Sequence, residues 1–136
     1  MFAHSSKYAL KALHYIAKNG SSENRLMAKD IAKAVDIPKP FLSKILKQLA
    51  LNNFVTSVKG PYGGFYLTDD QLKNSILDVI VELEGRNRFS QCVLNFENCN
   101  EKNPCPIHHL VIEEKNGLSQ VIKNTLISDL KDNFGY

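Results

Sequence analysis

Apolar residues recur along the first half of the chain at helical spacing, then change to the short alternating runs of strands. Ala9, Leu10, Leu13, Ile16 and Ala17 fall three and four apart and predict a helix over 6–19, stopped by Gly20 and Ser21-Ser22. Ala28, Ile31, Ala32 and Val35 predict a second, shorter helix. Asp36-Ile37-Pro38 breaks it, because the residue before a proline is pushed out of helical geometry. A third helix starts near Pro40 and runs to about Leu51, with Leu42, Ile45, Leu46 and Leu49 as its buried stripe. Residues 54–58 then read as a strand, 60–64 as a turn and 65–67 as the returning strand. Ser75 with Asp78 three residues on marks another helix start, with Ile76, Val79, Ile80 and Leu83 facing the core. Periodicity vanishes from Asn87 to Pro106. A last helix is expected from about Ile107 to Leu126, weakened at Gly117.

Two short helices joined by a tight break and followed by a hairpin give the order of a winged helix-turn-helix: a mainly α fold with a small β-hairpin wing and a long C-terminal helix. A helix fits the major groove of duplex DNA, and a wing reaches the adjacent minor groove or backbone. Charge supports that reading by its placement. The net charge is only +3, but residues 29–59 hold six lysines against Asp30 and Asp36. Lys39, Lys44 and Lys47 are candidates for phosphate contacts, and Ser43 and Gln48 for base edges or phosphates. Pro40 opens the same helix. Lys59, Tyr62, Gly63 and Gly64 form a basic, closely approaching wing tip.

The remaining chemistry is confined to one stretch. The three cysteines, Cys92, Cys99 and Cys105, lie within fourteen positions, and an odd number of clustered thiols with no export signal argues against a disulfide framework. Three thiolates suit an iron–sulfur cluster or zinc, with His108 or His109 near enough to complete the site. His4 and His14 are expected to do no chemistry. No apolar run approaches the roughly 18 to 20 residues of a membrane helix, so a cytoplasmic protein with no membrane partner is expected. No nucleophile–histidine–aspartate set, phosphate loop or paired carboxylates stand out, so an enzyme is not expected.

The chain resembles the IscR/NsrR family of bacterial winged-helix regulators. The resemblance is carried by Tyr8-Ala9-Leu10, by residues 37–67 with the wing Ser57-Val58-Lys59-Gly60-Pro61-Tyr62-Gly63-Gly64-Phe65, by Asp78-Val79-Ile80 and by Glu84-Gly85. It implies a homodimer joined by long C-terminal helices, with a DNA-binding region over 1–72 and the cysteine loop and dimerisation helices over 73–136. It also implies a cluster on Cys92, Cys99 and Cys105. In the IscR branch a histidine three residues beyond the last cysteine, here His108, adds the fourth ligand of a 2Fe–2S cluster; a 4Fe–4S cluster stays open. The chain departs from the pattern in several places. Ser43-Lys44 stand where Glu-Gln is frequent, and Lys59 and Tyr62 where arginine and glycine are common. Lys7 replaces the acidic ligand of the NsrR branch, and the first cysteine gap is six residues rather than five. The implied function is a transcription regulator whose operator binding an iron–sulfur cluster controls. The alternative is a cluster-free regulator governed by a protein partner, thiol oxidation or structural zinc.

Overall fold

A computed structural model describes residues 2–131. Helix α1 (His4–Asn19) is followed by α2 (Ala28–Val35), α3 (Lys39–Leu51), the hairpin strands β1 (Thr56–Val58) and β2 (Gly64–Tyr66), a short α4 (Asp69–Leu72), α5 (Ile76–Glu84) and α6 (His108–Asn124). The strands pair antiparallel with Ser57 opposite Phe65. Leu26, just before α2, bridges to Phe65 on the open side of the hairpin and gives the wing a third extended segment. This is the winged helix-turn-helix expected from the hydrophobic pattern.

The core forms where α1 meets the other helices. Ala9, Ala12, Leu13 and Ile16 of α1 are fully buried against Ile31 of α2 and Leu42, Leu46 and Leu49 of α3. Val79 of α5 and Ile127 beyond α6 seal the same cluster. The break between α2 and α3 falls where the proline placed it. Asp36 takes a left-handed conformation (φ 55°) and donates its N–H to Ala32, ending α2 two residues before Pro38. The Ser75–Asp78 capping box also forms, with reciprocal bonds of 2.8 and 3.1 Å.

Three features differ from the sequence reading. β1 starts at Thr56 rather than at residue 54, because Phe54 donates its N–H to Leu49 at the end of α3 and Val55 turns into the core. Helix α4 was not anticipated, although Thr68 and Gln71 form a second capping box whose spacing is present in the sequence. α6 ends at Asn124 rather than at residue 126. Thr125 and Leu126 are extended instead, because Thr125 accepts from Ile76 N–H and Ile127 donates to Asn74, each at 2.9 Å. The chain therefore turns back through a 3-10 segment, Ile127–Leu130, which packs on α1.

Gln71 is the polar pin of the wing's base. It is buried, its Oε1 accepts from Thr56 Oγ1 at 2.9 Å and Thr68 N–H at 3.0 Å, and its Nε2 donates to the Asn53 carbonyl at 3.2 Å. Gln71→Leu leaves these partners without their amide, and is expected to lower unfolding free energy by about 1–3 kcal/mol in urea melts. A change within about 0.5 kcal/mol would show that the network is dispensable.

Candidate functional site

On α3 the buried stripe of Leu42, Ile45, Leu46 and Leu49 leaves Lys39, Pro40, Lys44 and Lys47 exposed. Lys47 and Lys44 line two different grooves, and Lys39 and Pro40 line neither. Ser43, Lys47 and Lys59 line one, of about 430 Å³, together with Ser57, Leu51 and Phe65. Lys44 lines the other, between α3 and the start of α1, with Tyr8, Phe41 and Gln48. Gln48 also donates to the Glu82 carbonyl of α5 at 3.4 Å, which ties it to the scaffold as well as to the surface. None of Lys39, Lys44, Lys47 or Lys59 forms an ion pair with a described residue.

The wing tip depends on its glycines. A Cβ at Gly63 would stand 2.1 Å from the Val58 carbonyl oxygen, and one at Gly64 (φ 147°) 2.7 Å from that of Leu26. Both positions need backbone contact that any side chain would prevent. Tyr62 is 89% exposed at the tip. Arg25, absent from the sequence candidates, reaches the wing from the segment before α2, its Nη1 donating to the Tyr62 carbonyl at 3.4 Å. No local motif marks Arg25; only the Leu26–Phe65 pairing brings it there.

Gly85 (φ 91°) closes α5 and turns the chain into the cysteine loop. Asparagines supply hydrogen bonds that a regular element would otherwise give. Asn100 Oδ1 accepts from the N–H groups of Lys102 and Asn103 at 2.8 and 2.9 Å, and Asn103 Nδ2 donates to the Asn98 carbonyl at 3.1 Å. The loop brings the three Sγ atoms within 4.8 Å of one another, with Cys92 and Cys105 3.7 Å apart. Cys99 Sγ accepts from Cys105 N–H at 3.3 Å and lies 3.4 Å from His108 Nδ1. His108, the first residue of α6, thus reaches the thiols through Cys99, and lies outside the set of mutually close ligand atoms. His109 is exposed and meets the edge of the His108 ring, with centroids 5.1 Å apart.

The thiols are not equivalent. The Phe96 N–H, helped by that of Leu94, lowers the Cys92 pKa to about 7. At Cys99 the Cys105 N–H pulls the same way, but desolvation and the neighbouring Cys105 and Cys92 thiols outweigh it and raise the pKa.

Sequence reading missed how this loop is fastened to α1. Glu84, whose side chain is 7% exposed, accepts from Ser6 Oγ at 2.5 Å and pairs with Arg88 Nε at 2.6 Å. Phe2 packs edge-on against Phe89 at 5.8 Å. Lys115 of α6 donates to the Gln91 carbonyl at 2.7 Å, one residue before Cys92. Neither contact carried a sequence signal, since Arg88 lies beyond the Gly85 that ends α5 and Ser6 is 78 residues from Glu84.

A lysine-bearing helix beside a glycine-built wing is the architecture of a winged-helix DNA-binding transcription regulator. The chain belongs to the Rrf2 family, described as iron-dependent transcriptional regulators, whose sequence pattern matches residues 2–133. It is 37% identical over 132 residues to an HTH-type transcriptional regulator of Aquifex aeolicus, covering 96% of this chain and 90% of the relative. It is 26% identical to the transcriptional regulator IscR of Yersinia pseudotuberculosis, over 93% of this chain and 76% of that one. The fold is shared with CymR, the global cysteine regulator of B. subtilis (TM-score 0.79, 22% identity, 99% and 98% of the two chains). It is shared also with T. potens IscR (TM-score 0.70, 22% identity, 96% and 85%). Among the described residues no helix is long and apolar enough to cross a membrane.

Thiolate, not thiol, reacts with alkylating agents. Metal-free protein treated briefly with iodoacetamide at pH 7 is therefore expected to label Cys92 ahead of Cys99. The Cys92 rate should fall about tenfold for each pH unit below its pKa. Peptide mass spectrometry reads the order; equal labelling of Cys92 and Cys99 would contradict the asymmetry.

Proposed function

We propose that this Rrf2-family regulator binds operator DNA as a homodimer, and that an iron–sulfur cluster held by Cys92, Cys99, Cys105 and His108 governs that binding. The observation that carries the reading is the convergence of three thiols, their Sγ atoms within 4.8 Å of one another, on one loop. The donor set fits the group, since soft thiolates with one imidazole are a recognised iron–sulfur ligand set. A 2Fe–2S cluster is the nuclearity the IscR-like register of His108 favours. When bound, the cluster supplies a centre that responds to oxidation state and to iron supply. The chain's own residues carry the consequence: Cys92 is linked through Gln91 to Lys115 of α6, and the loop base through Arg88 and Glu84 to Ser6 of α1.

DNA reading falls to α3 and the wing. Lys39, Lys44, Lys47 and Lys59 neutralise phosphates, Pro40 starts the reading helix, and Ser43 addresses base edges. Tyr62, Gly63 and Gly64 let the wing approach the duplex closely. The homodimer is supported by α6, which buries only Ile122 and leaves Leu110 and Val121 73% and 61% exposed. A helix with so little core contact needs another surface to cover it.

The thiol spacing also admits a second reading, because tetrahedral zinc and tetrahedral iron hold their sulfur ligands alike. A tetrahedral ion with bonds near 2.3 Å holds its sulfur ligands about 3.8 Å apart, close to the 3.7 Å between Cys92 and Cys105. Structural zinc on the same thiols is therefore the alternative, and the two differ in colour.

Anaerobic purification with iron, sulfide and zinc quantitation decides between them. The expected result is a coloured protein with iron and acid-labile sulfide. A colourless protein with one zinc per chain would establish the second reading. Replacing any of the three cysteines should abolish cluster retention. His108→Ala should shift the absorbance and paramagnetic resonance spectra, and His109→Ala should leave them unchanged. The reverse pattern would move the fourth ligand by one residue. For the DNA interface, the Lys44→Ala/Lys47→Ala pair should weaken binding to all sequences and flatten the log–log salt slope by about one unit per lost contact. An unchanged slope would show that these lysines face away from the duplex.

A further inference from the structure

Lys59 is the cation that the hairpin itself carries, yet an ammonium is a strongly hydrated point charge that does not present a planar fork. The guanidinium at the wing comes from elsewhere. Leu26 exchanges backbone bonds with Phe65 of β2 at 3.0 and 2.8 Å, which fixes the segment carrying Arg25 alongside the hairpin. From there Arg25 Nη1 reaches the Tyr62 carbonyl at the tip, 37 residues away in sequence. At 3.4 Å this bond is long and uses one of five N–H donors, so the fork is positioned without being consumed. The nearby Glu23 carboxylate draws on the Ser22 hydroxyl first and on Arg25 last, so Arg25 is not held in a tight ion pair. A narrow, A·T-rich minor groove concentrates negative potential and attracts inserted arginine, while the N2 amino group of guanine opposes its donors.

We infer that Arg25, delivered to the wing tip from the segment before α2, is the group with which the wing senses A·T-rich minor groove beside each recognition-helix site. Lys59 contributes phosphate charge there. The inference rests on the wing touching DNA, as proposed above, and adds which side chain reads it.

The probe is a duplex isolated with the full-length wild-type protein by repeated selection from a random-sequence library, with the wing-side base pairs located by footprinting. Changing A·T pairs under the wing to G·C should weaken the wild type by about tenfold, within the range of single mismatches. Changing them to inosine·cytosine, which lacks the N2 amino group, should restore most of the affinity. Arg25→Lys keeps the charge and should hold the salt slope while reducing the A·T over G·C preference to below about twofold. Lys59→Ala should flatten the slope by about one unit and keep the preference. Both side chains are exposed, and unchanged thermal melting of the variants verifies that the fold persists. If Arg25→Lys retains the full preference while Lys59→Ala flattens the slope, the wing touches DNA and Arg25 is not its reader. If the wild type shows no preference at those pairs, the inference also falls. If neither variant changes slope or preference, the wing does not meet the duplex at all, and that part of the proposed function fails with it.

Discussion

The close packing of α1 is the constraint on which the rest of the structure depends. Ala9 and Ala12 are fully buried, and their small side chains leave room for larger neighbours to approach the helix axis. Leu13 and Ile16 then fill the space between α1 and the helix-turn-helix. The same helix receives α5 and the returning 3-10 segment, where Val79 and Ile127 reach the cluster. A residue larger than alanine at 9 or 12 would push α3 or α5 outward, because a core at crystal-like density has little slack. One helix thus holds the helix-turn-helix and the base of the thiol loop in register, and neither can shift without disturbing its packing.

That arrangement makes the Ser6–Glu84–Arg88 contact more than a surface pair. A carboxylate with 7% of its side chain exposed is costly to bury unless its lone pairs are satisfied, and here a hydroxyl from α1 and a guanidinium from the loop both serve it. Removing either partner leaves charge facing the protein interior. The cysteine loop and α1 are therefore joined by a contact whose strength depends on geometry. An apolar seam would tolerate sliding; a paired buried charge does not.

The helices were legible because each carries an apolar stripe at its own period, and the α2–α3 break because Pro38 enforces it. Ser43, Lys44 and Lys47 were legible for the complementary reason, since positions off the buried stripe of a helix must face outward. The thiols announced themselves by clustering. What the sequence could not display was pairing between distant segments. Arg25 reaches the wing only because Leu26 pairs with Phe65, and Ser6 meets Glu84 only because α5 lies along α1. The early end of α6 has the same origin, since Ile76 and Asn74 capture the backbone of residues 125–127. Local propensity favoured continued helix there, and tertiary hydrogen bonds won. Gln71 illustrates the mixed case, with a capping box readable locally and a network to Asn53 and Thr56 that is not.

The cysteine loop obeys a different energetic logic from the head. Between Gly85 and His108 no described residue belongs to the hydrophobic core, and Val93, Leu94 and Phe96 are about half exposed. Apolar burial within the chain therefore does little to hold this loop in one conformation, and asparagine side chains and turns carry most of its order. Conformational entropy opposes such a segment at about 1–2 kcal/mol per fixed residue, which scattered exposed hydrogen bonds offset only in part. A metal centre joining the three thiolates, as proposed, would close the loop and supply what the missing core does not. Loss of that centre would return the loop to its weakly ordered state while the α1–α3 core stays folded. The proposed control by a cluster would use that division: a well-packed head, fastened through Glu84, Phe89 and Gln91 to a loop whose order the bound centre would set.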